Sequence, residues 1–180
     1  MPTMIPAPVA APRRPADLVH LATAAAEAGG RVITTARAGG LRAVPESKGR
    51  GDWVTSVDRE AEAAATSILR TATPEIPILA EEGGGTRAER FWVVDPLDGT
   101  TNFVLGFPMV GVSVALVEAD QPTVGVVSAP ELGARWTAVR GEGAFDRAGR
   151  RLTCAPARRP GSPPPGSPSA TRNGTPATWR

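Results

Sequence analysis

Cysteine and histidine are almost missing from this chain: Cys154 and His20 are the only ones among its 180 residues. A single cysteine excludes an internal disulfide and fits a reducing compartment, so the default expectation is a cytoplasmic protein. A lone histidine on a helix, with no partner nearby in sequence, reads as a solvated side chain and carries little catalytic weight. Long apolar runs are lacking too. The longest, around Val110–Val117, is too short to cross a bilayer, and the N-terminus has no basic start followed by an apolar core. Neither a membrane span nor a secretory signal is expected. Charge of one sign is not in large excess: a formal net charge of +2 gives little reason to expect a nucleic-acid partner.

What is present is unevenly spread. Proline and glycine are enriched, and proline concentrates toward the ends. Residues 1–16, rich in Pro and Ala, read as a flexible leader. Residues 151–180 carry Arg158-Arg159-Pro160-Gly161-Ser162-Pro163-Pro164-Pro165 and cannot bury a core, so they read as a disordered tail. That tail is basic, but no aromatics interleave its arginines before Trp179, which makes it a weak nucleic-acid signal. Asn173-Gly174-Thr175 fits a glycosylation pattern that a cytoplasmic chain would not use.

Between them, residues 17–150 have the patterning of one domain. Leu18, Leu21, Ala22, Ala25, Val32 and Ile33 recur at near-helical spacing, with Asp17 as the expected N-cap and Gly39-Gly40 as the stop. Lys48 through Asp58 reads as a polar connection, and the Ala- and Glu-rich run Arg59–Arg70 reads as a second helix. Ile76–Leu79 is a short strand. Val110–Val117, Thr123–Ser128 and Trp136–Val139 read as successive strands, with a turn at Gln121-Pro122, which suggests an antiparallel meander.

The stretch that organises the chain is Phe91-Trp92-Val93-Val94-Asp95-Pro96-Leu97-Asp98-Gly99-Thr100-Thr101-Asn102-Phe103. Its apolar start reads as a buried strand that ends at Asp95, because Pro96 has no N–H to give to a ladder. The chain is then expected to turn and bring Asp98 back toward Asp95. Gly99 permits close backbone approach to a ligand, and Thr100-Thr101-Asn102 can open a helix whose free amides face an anion. Two carboxylates beside such a helix start suggest a divalent metal and a phosphate. The plainer alternative is good turn chemistry with exposed acids.

This stretch resembles the hallmark of the inositol monophosphatase family, Asp-Pro-(Ile/Leu)-Asp-Gly-Thr-x-Asn, at Asp95, Pro96, Leu97, Asp98, Gly99, Thr100 and Asn102. Asp52, Val54, Thr55 and Asp58 match the family's Asp-x-Val-Thr-x-x-Asp, although Thr55-x-x-Asp58 is also a capping arrangement for the helix that follows. Glu81-Glu82 stands where the family has Gly-Glu-Glu, with Ala80 in place of the glycine; a positive φ there would strain alanine. Gly83–Gly85 lacks the spacing of a nucleotide loop.

The resemblance implies a fold class of α+β, helices packed on an antiparallel sheet, equivalent to the first domain of the family's layered fold. It implies magnesium (Mg2+) as cofactor: Glu81, Asp95 and the Leu97 carbonyl would hold one ion, and Asp95 with Asp98 a second. Asp58, Thr100 and Glu81 are the implied catalytic set, with Asp58 and Thr100 orienting the attacking water. Asp98, Gly99 and Thr100 would contact the phosphorylated substrate. The implied reaction is hydrolysis of a small phosphorylated polyol or sugar, inositol monophosphate first. Histidinol phosphate, fructose 1,6-bisphosphate and adenosine 3′,5′-bisphosphate are the alternatives within the class.

The likeness is expected to stop near residue 152. No Trp-Asp pair follows Asp98 to supply the family's further ligand, since Trp136 and Trp179 precede Thr137 and Arg180. The second domain is therefore expected to be missing, the second metal weakened and turnover low, with a homodimer left open as a form that completes the site. An inactive fragment that binds metal or a protein partner is the competing reading.

Overall fold

The computed structural model describes residues 14–39, 46–49 and 52–154. Most of the expected leader, and the expected tail from residue 155 on, lie outside the described residues. Helix α1 spans Pro15–Ala38, starting inside the stretch expected as leader, and its cap position is Arg14 rather than Asp17. Pro15 explains the shift. A fixed φ and a missing N–H cost nothing at the first helical position. Asp17 instead lies in the first turn, bonded to Arg14 at 2.9 Å.

Strands β1 (Glu46–Gly49) and β2 (Asp52–Val54) form an antiparallel pair in the stretch expected as a polar connection. Helix α2 then runs Ser56–Ala72, three residues earlier than the apolar pattern implied. Its start is set by the cap at Thr55.

The remaining strands are β3 (Ile78–Ala80), β4 (Gly84–Gly85), β5 (Arg90–Asp98), β6 (Gly111–Glu118), β7 (Gln121–Ala129), β8 (Ala134–Val139) and β9 (Gly143–Asp146). They make a seven-stranded sheet in the order β4-β3-β5-β6-β7-β8-β9. Every pairing is antiparallel except β3 with β5, so the expected antiparallel sheet contains one parallel pair. The β6–β7 turn falls at Ala119-Asp120, both at positive φ (48° and 57°), and not at Gln121-Pro122. Two positive-φ residues match the twist of the flanking strands, whereas Pro122 is accommodated at a register shift inside β7. Past β9, Arg151 bridges Phe145 and the Leu152 amide bonds to the Ala144 carbonyl at 2.8 Å, just beyond the expected domain limit at 150.

The core lies between the two long helices and one face of the sheet. Val112, Val114 and Leu116 alternate along β6 toward the helices, with Trp92 and Val94 of β5 beside them. Trp92 is fully buried, and its indole N–H donates to Thr73 Oγ1 at 3.0 Å, so its one polar atom is satisfied. A stripe of small residues lets the helices approach each other. At Gly29 of α1 a Cβ would stand 3.3 Å from the Ala61 carbonyl oxygen of α2. Among the described residues no helix is long and apolar enough to cross a membrane.

Candidate functional site

The strand expected to end at Asp95 does not end there. β5 continues to Asp98 through an irregularity: Asp95 pairs with Ser113 and Asp98 with Gly111. Three steps along β5 therefore match two along β6, which is a one-residue bulge holding Pro96 and Leu97. The consequence is a change of phase. In a regular strand residues three apart face opposite ways, but here both acids oppose β6 residues two apart, on one side of the sheet. Proline is tolerated because a bulge has a ladder position to spare. The two acids meet through a bulge and not through a reversal of the chain.

Gly99 follows at φ 90° as the cap of a short helix α3 (Thr100–Val104). A Cβ there would lie 2.9 Å from the Met109 carbonyl oxygen, so its close approach is to the chain's own backbone. That carbonyl also accepts from Asn102 Nδ2 at 2.8 Å. The first helical bond runs from the Phe103 amide to the Gly99 carbonyl at 3.0 Å, leaving Thr100, Thr101 and Asn102 as positions with no acceptor inside the helix.

Asp58 joins this strand end to α2. Its Oδ2 accepts from the Thr55 amide at 2.8 Å and the Thr55 hydroxyl at 2.5 Å, and the Val57 amide donates back to Thr55 Oγ1 at 3.2 Å. Its Oδ1 accepts from the Thr100 hydroxyl at 2.9 Å. One oxygen of Asp58 thus serves the cap and the other meets Thr100. The side chain is buried, so the three bonds to it are shielded from competing water. Thr100 Oγ1 also lies 3.1 Å from the Leu97 carbonyl, which gives its proton a second acceptor.

Glu81 arrives from the parallel pair. Ala80 is opposite Val94, and the Glu81 amide donates to the Val94 carbonyl at 3.1 Å, which places Glu81 beside Asp95. Ala80 is not at positive φ, so the strain that its substitution for glycine raised does not arise. The Asp95 carboxyl lies beside that of Glu81 and accepts from the Leu97 amide at 3.2 Å. Burial pushes its pKa up. The neighbouring Glu81 carboxyl and the Leu97 amide oppose that rise, while the nearby charges of Asp98 and Asp58 add to it.

Among the described residues no three acidic, histidine or cysteine side chains converge closely enough to chelate a metal ion unaided. The arrangement is instead a neighbouring carboxyl pair with two more acids close enough to act on Asp95 through space. Neighbouring carboxyl groups of this kind are a place that a divalent cation can take. The donor set, all oxygen, suits magnesium. The side chains of Asp52 and Val54 lie outside the described residues. A cleft of about 570 Å³ between α1 and the β8–β9 end, lined by His20, Glu27, Arg135 and Asp146 among others, contains none of these acids.

With this geometry in place, the family is decided by a match over residues 15–168 to the inositol monophosphatase family. The chain belongs to that family. The match runs past residue 152, where the resemblance was expected to stop. Among its relatives, the Nus factor SuhB of Vibrio cholerae is 41% identical over 130 residues, covering 71% of this chain and 49% of that protein. The histidinol-phosphatase of Mycobacterium tuberculosis is 44% identical over 115 residues, covering 63% and 44%. The solved extragenic suppressor protein suhB of Bartonella henselae superposes with a TM-score of 0.72 at 35% identity, covering 79% of this chain and 56% of that one. The chain spans about half the length of the curated relatives it matches. This inositol monophosphatase-family fold, helices on a mixed sheet, is the α+β arrangement that the motifs implied.

Two residues of the site escaped the sequence reading. Arg37, at the end of α1, donates Nη1 to the Phe103 carbonyl at 3.2 Å and Nη2 to the Phe107 carbonyl at 3.1 Å, and pairs with Glu131 at 2.6 Å. It ties the segment after the motif to the helical layer. Glu62, on α2, bonds to the loop after Glu81. Its signal was available: an acid four residues after Asp58, on the helix face shared with Ala61, Ala65 and Leu69.

Proposed function

We propose that this chain carries the metal- and phosphate-handling half of a magnesium-dependent phosphomonoesterase, acting on a small phosphorylated polyol or sugar, with inositol monophosphate as the leading substrate. The observation that carries this reading is the Thr100 hydroxyl held by Asp58 beside the Glu81–Asp95 carboxyl pair. Glu81, Asp95, Asp98 and the Leu97 carbonyl would hold magnesium, which when bound lowers the pKa of water and offsets charge on phosphoryl oxygens.

The chain's own residues do the rest. Asp58 Oδ1 accepts a hydrogen bond from the Thr100 hydroxyl, which turns the hydroxyl lone pairs toward an incoming water. Thr100 then accepts from that water and aims its oxygen. Because Asp58 is buried and its other oxygen is fixed by Thr55, this acceptor does not wander. The amides of Gly99 and Thr100, at the start of α3, suit phosphate oxygens as donors.

Inositol 1-phosphate is the first substrate to test, with release of phosphate measured with and without magnesium beside an Asp95→Asn control. Magnesium-dependent release that the control lacks supports the reading. Histidinol phosphate belongs in the same assay, since one relative is a histidinol-phosphatase. Folded protein that binds magnesium calorimetrically yet releases nothing would favour the second reading, a metal-binding fragment without turnover. The exposure of Glu81 and Asp98 to solvent is the observation behind that alternative.

A further inference from the structure

Glu62 is a buried acid that the proposed chemistry does not use. It is 8% exposed, and its two carboxylate oxygens are spent on two consecutive backbone amides: Oε2 accepts from Glu82 at 2.7 Å and Oε1 from Gly83 at 2.8 Å. Those amides directly follow Glu81, whose own amide is tied to the Val94 carbonyl. The loop is therefore held on both sides of Glu81, by β5 before it and by α2 after it.

Gly83 is part of the same device. A Cβ there would stand 2.6 Å from Glu62 Oε1, so a side chain at this position would force the carboxylate or the loop to shift. Asp58 and Glu62 are four residues apart on α2 and lie on its buried face. One helix thus reaches both sides of the site, gripping the Thr100 hydroxyl with the first acid and the Glu81 loop with the second.

We propose that Glu62 is a positioning residue that sets Glu81 against Asp95 by clamping the two amides that follow it. It touches neither substrate nor metal. Glu81 is solvent-exposed and long, so an unclamped backbone would let its carboxylate sample many places, and a preset one narrows them before the cation arrives. The consequence for metal affinity rests on the magnesium reading given above; the clamp itself does not.

The test uses the full chain with Glu62→Gln, which puts an NH2 where one acceptor stood, and Gly83→Ala, which leaves the buried acid intact. Amide hydrogen exchange at Glu82 and Gly83, followed by NMR in metal-free protein, should quicken about tenfold or more in both variants, while exchange in the middle of α2 stays unchanged. Calorimetric titration with magnesium chloride should show affinity lower by about 10- to 100-fold in both. Unchanged exchange at the two amides overturns the clamp. Faster exchange with unchanged magnesium affinity overturns its positioning role. If the unaltered chain binds no magnesium, the proposed function fails, and the exchange rates still decide the clamp. Should Glu62→Gln not fold, Gly83→Ala, in an exposed loop, decides alone.

Discussion

The two sides of this site solve opposite problems. On the Asp58 side, polar groups are matched: the carboxylate accepts from the Thr55 amide, the Thr55 hydroxyl and the Thr100 hydroxyl, and Thr55 in turn accepts from Val57. On the Glu81 side, acids face acids, and Asp95 is burdened by burial and by the charges of Asp98 and Asp58. The first side stabilises the fold by itself. The second gathers acids around a buried carboxyl, and the proposed magnesium would supply the positive charge it lacks. A matched network beside a mismatched one separates what holds the chain together from what it is held for.

The sharpest way to break the comparison is to neutralise each side in turn. Asp95→Asn should lower magnesium-dependent phosphate release by on the order of a hundredfold or more, read by phosphate assay. The same variant, without metal, should be as stable as the unaltered chain or slightly more so, because it removes a strained acid. Asp58→Ala should do the reverse to the fold. Losing a cap and leaving the buried Thr55 amide and hydroxyl short of an acceptor should cost about 2–4 kcal/mol in urea unfolding.

Magnesium should narrow the gap between the two sides. At a hundred times its dissociation constant it should stabilise the unaltered chain by about 2.7 kcal/mol, and Asp95→Asn should gain far less, which thermal melts at fixed protein concentration will show.

The smallest expected effect is on pH. The Asp95 pKa is raised by burial, so the folded state holds this proton more tightly than the unfolded chain does. Its contribution is therefore fully present below the ordinary aspartate value and is lost as pH rises through the raised one. Metal-free protein should lose stability across that window in urea titrations, and the slope should flatten in Asp95→Asn.

The legible and illegible parts of this protein divide along the same line. Thr55 and Asp58 could be read as a cap from spacing alone, because capping is a contact within one turn. The apolar run Val110–Val117 showed β6 for a similar reason, while the face made by Val112, Val114 and Leu116 emerged from the burial. The bulge at Pro96-Leu97 was misread as a strand end, since a proline looks the same in sequence whether the ladder stops or only skips. The turn at Ala119-Asp120 was missed because alanine rarely adopts positive φ and the adjacent Gln121-Pro122 gave a stronger local signal. Glu62 was passed over because an acid in a helix reads as solvated until its burial is known.

By itself, then, the sequence determined the residue chemistry and the local frames: which acids are available, where α2 is capped, which strand faces are apolar. Each of these is set by contacts a few residues long. Only the tertiary structure decided that Asp95 and Asp98 fall on one side of the sheet, that Thr100 reaches Asp58 across 42 residues, and that Glu62 meets the amide of Glu82 20 residues on. Those contacts depend on bulge phase, strand pairing and helix docking. Each is fixed by burial of the whole core, and no short window of residues contains that information.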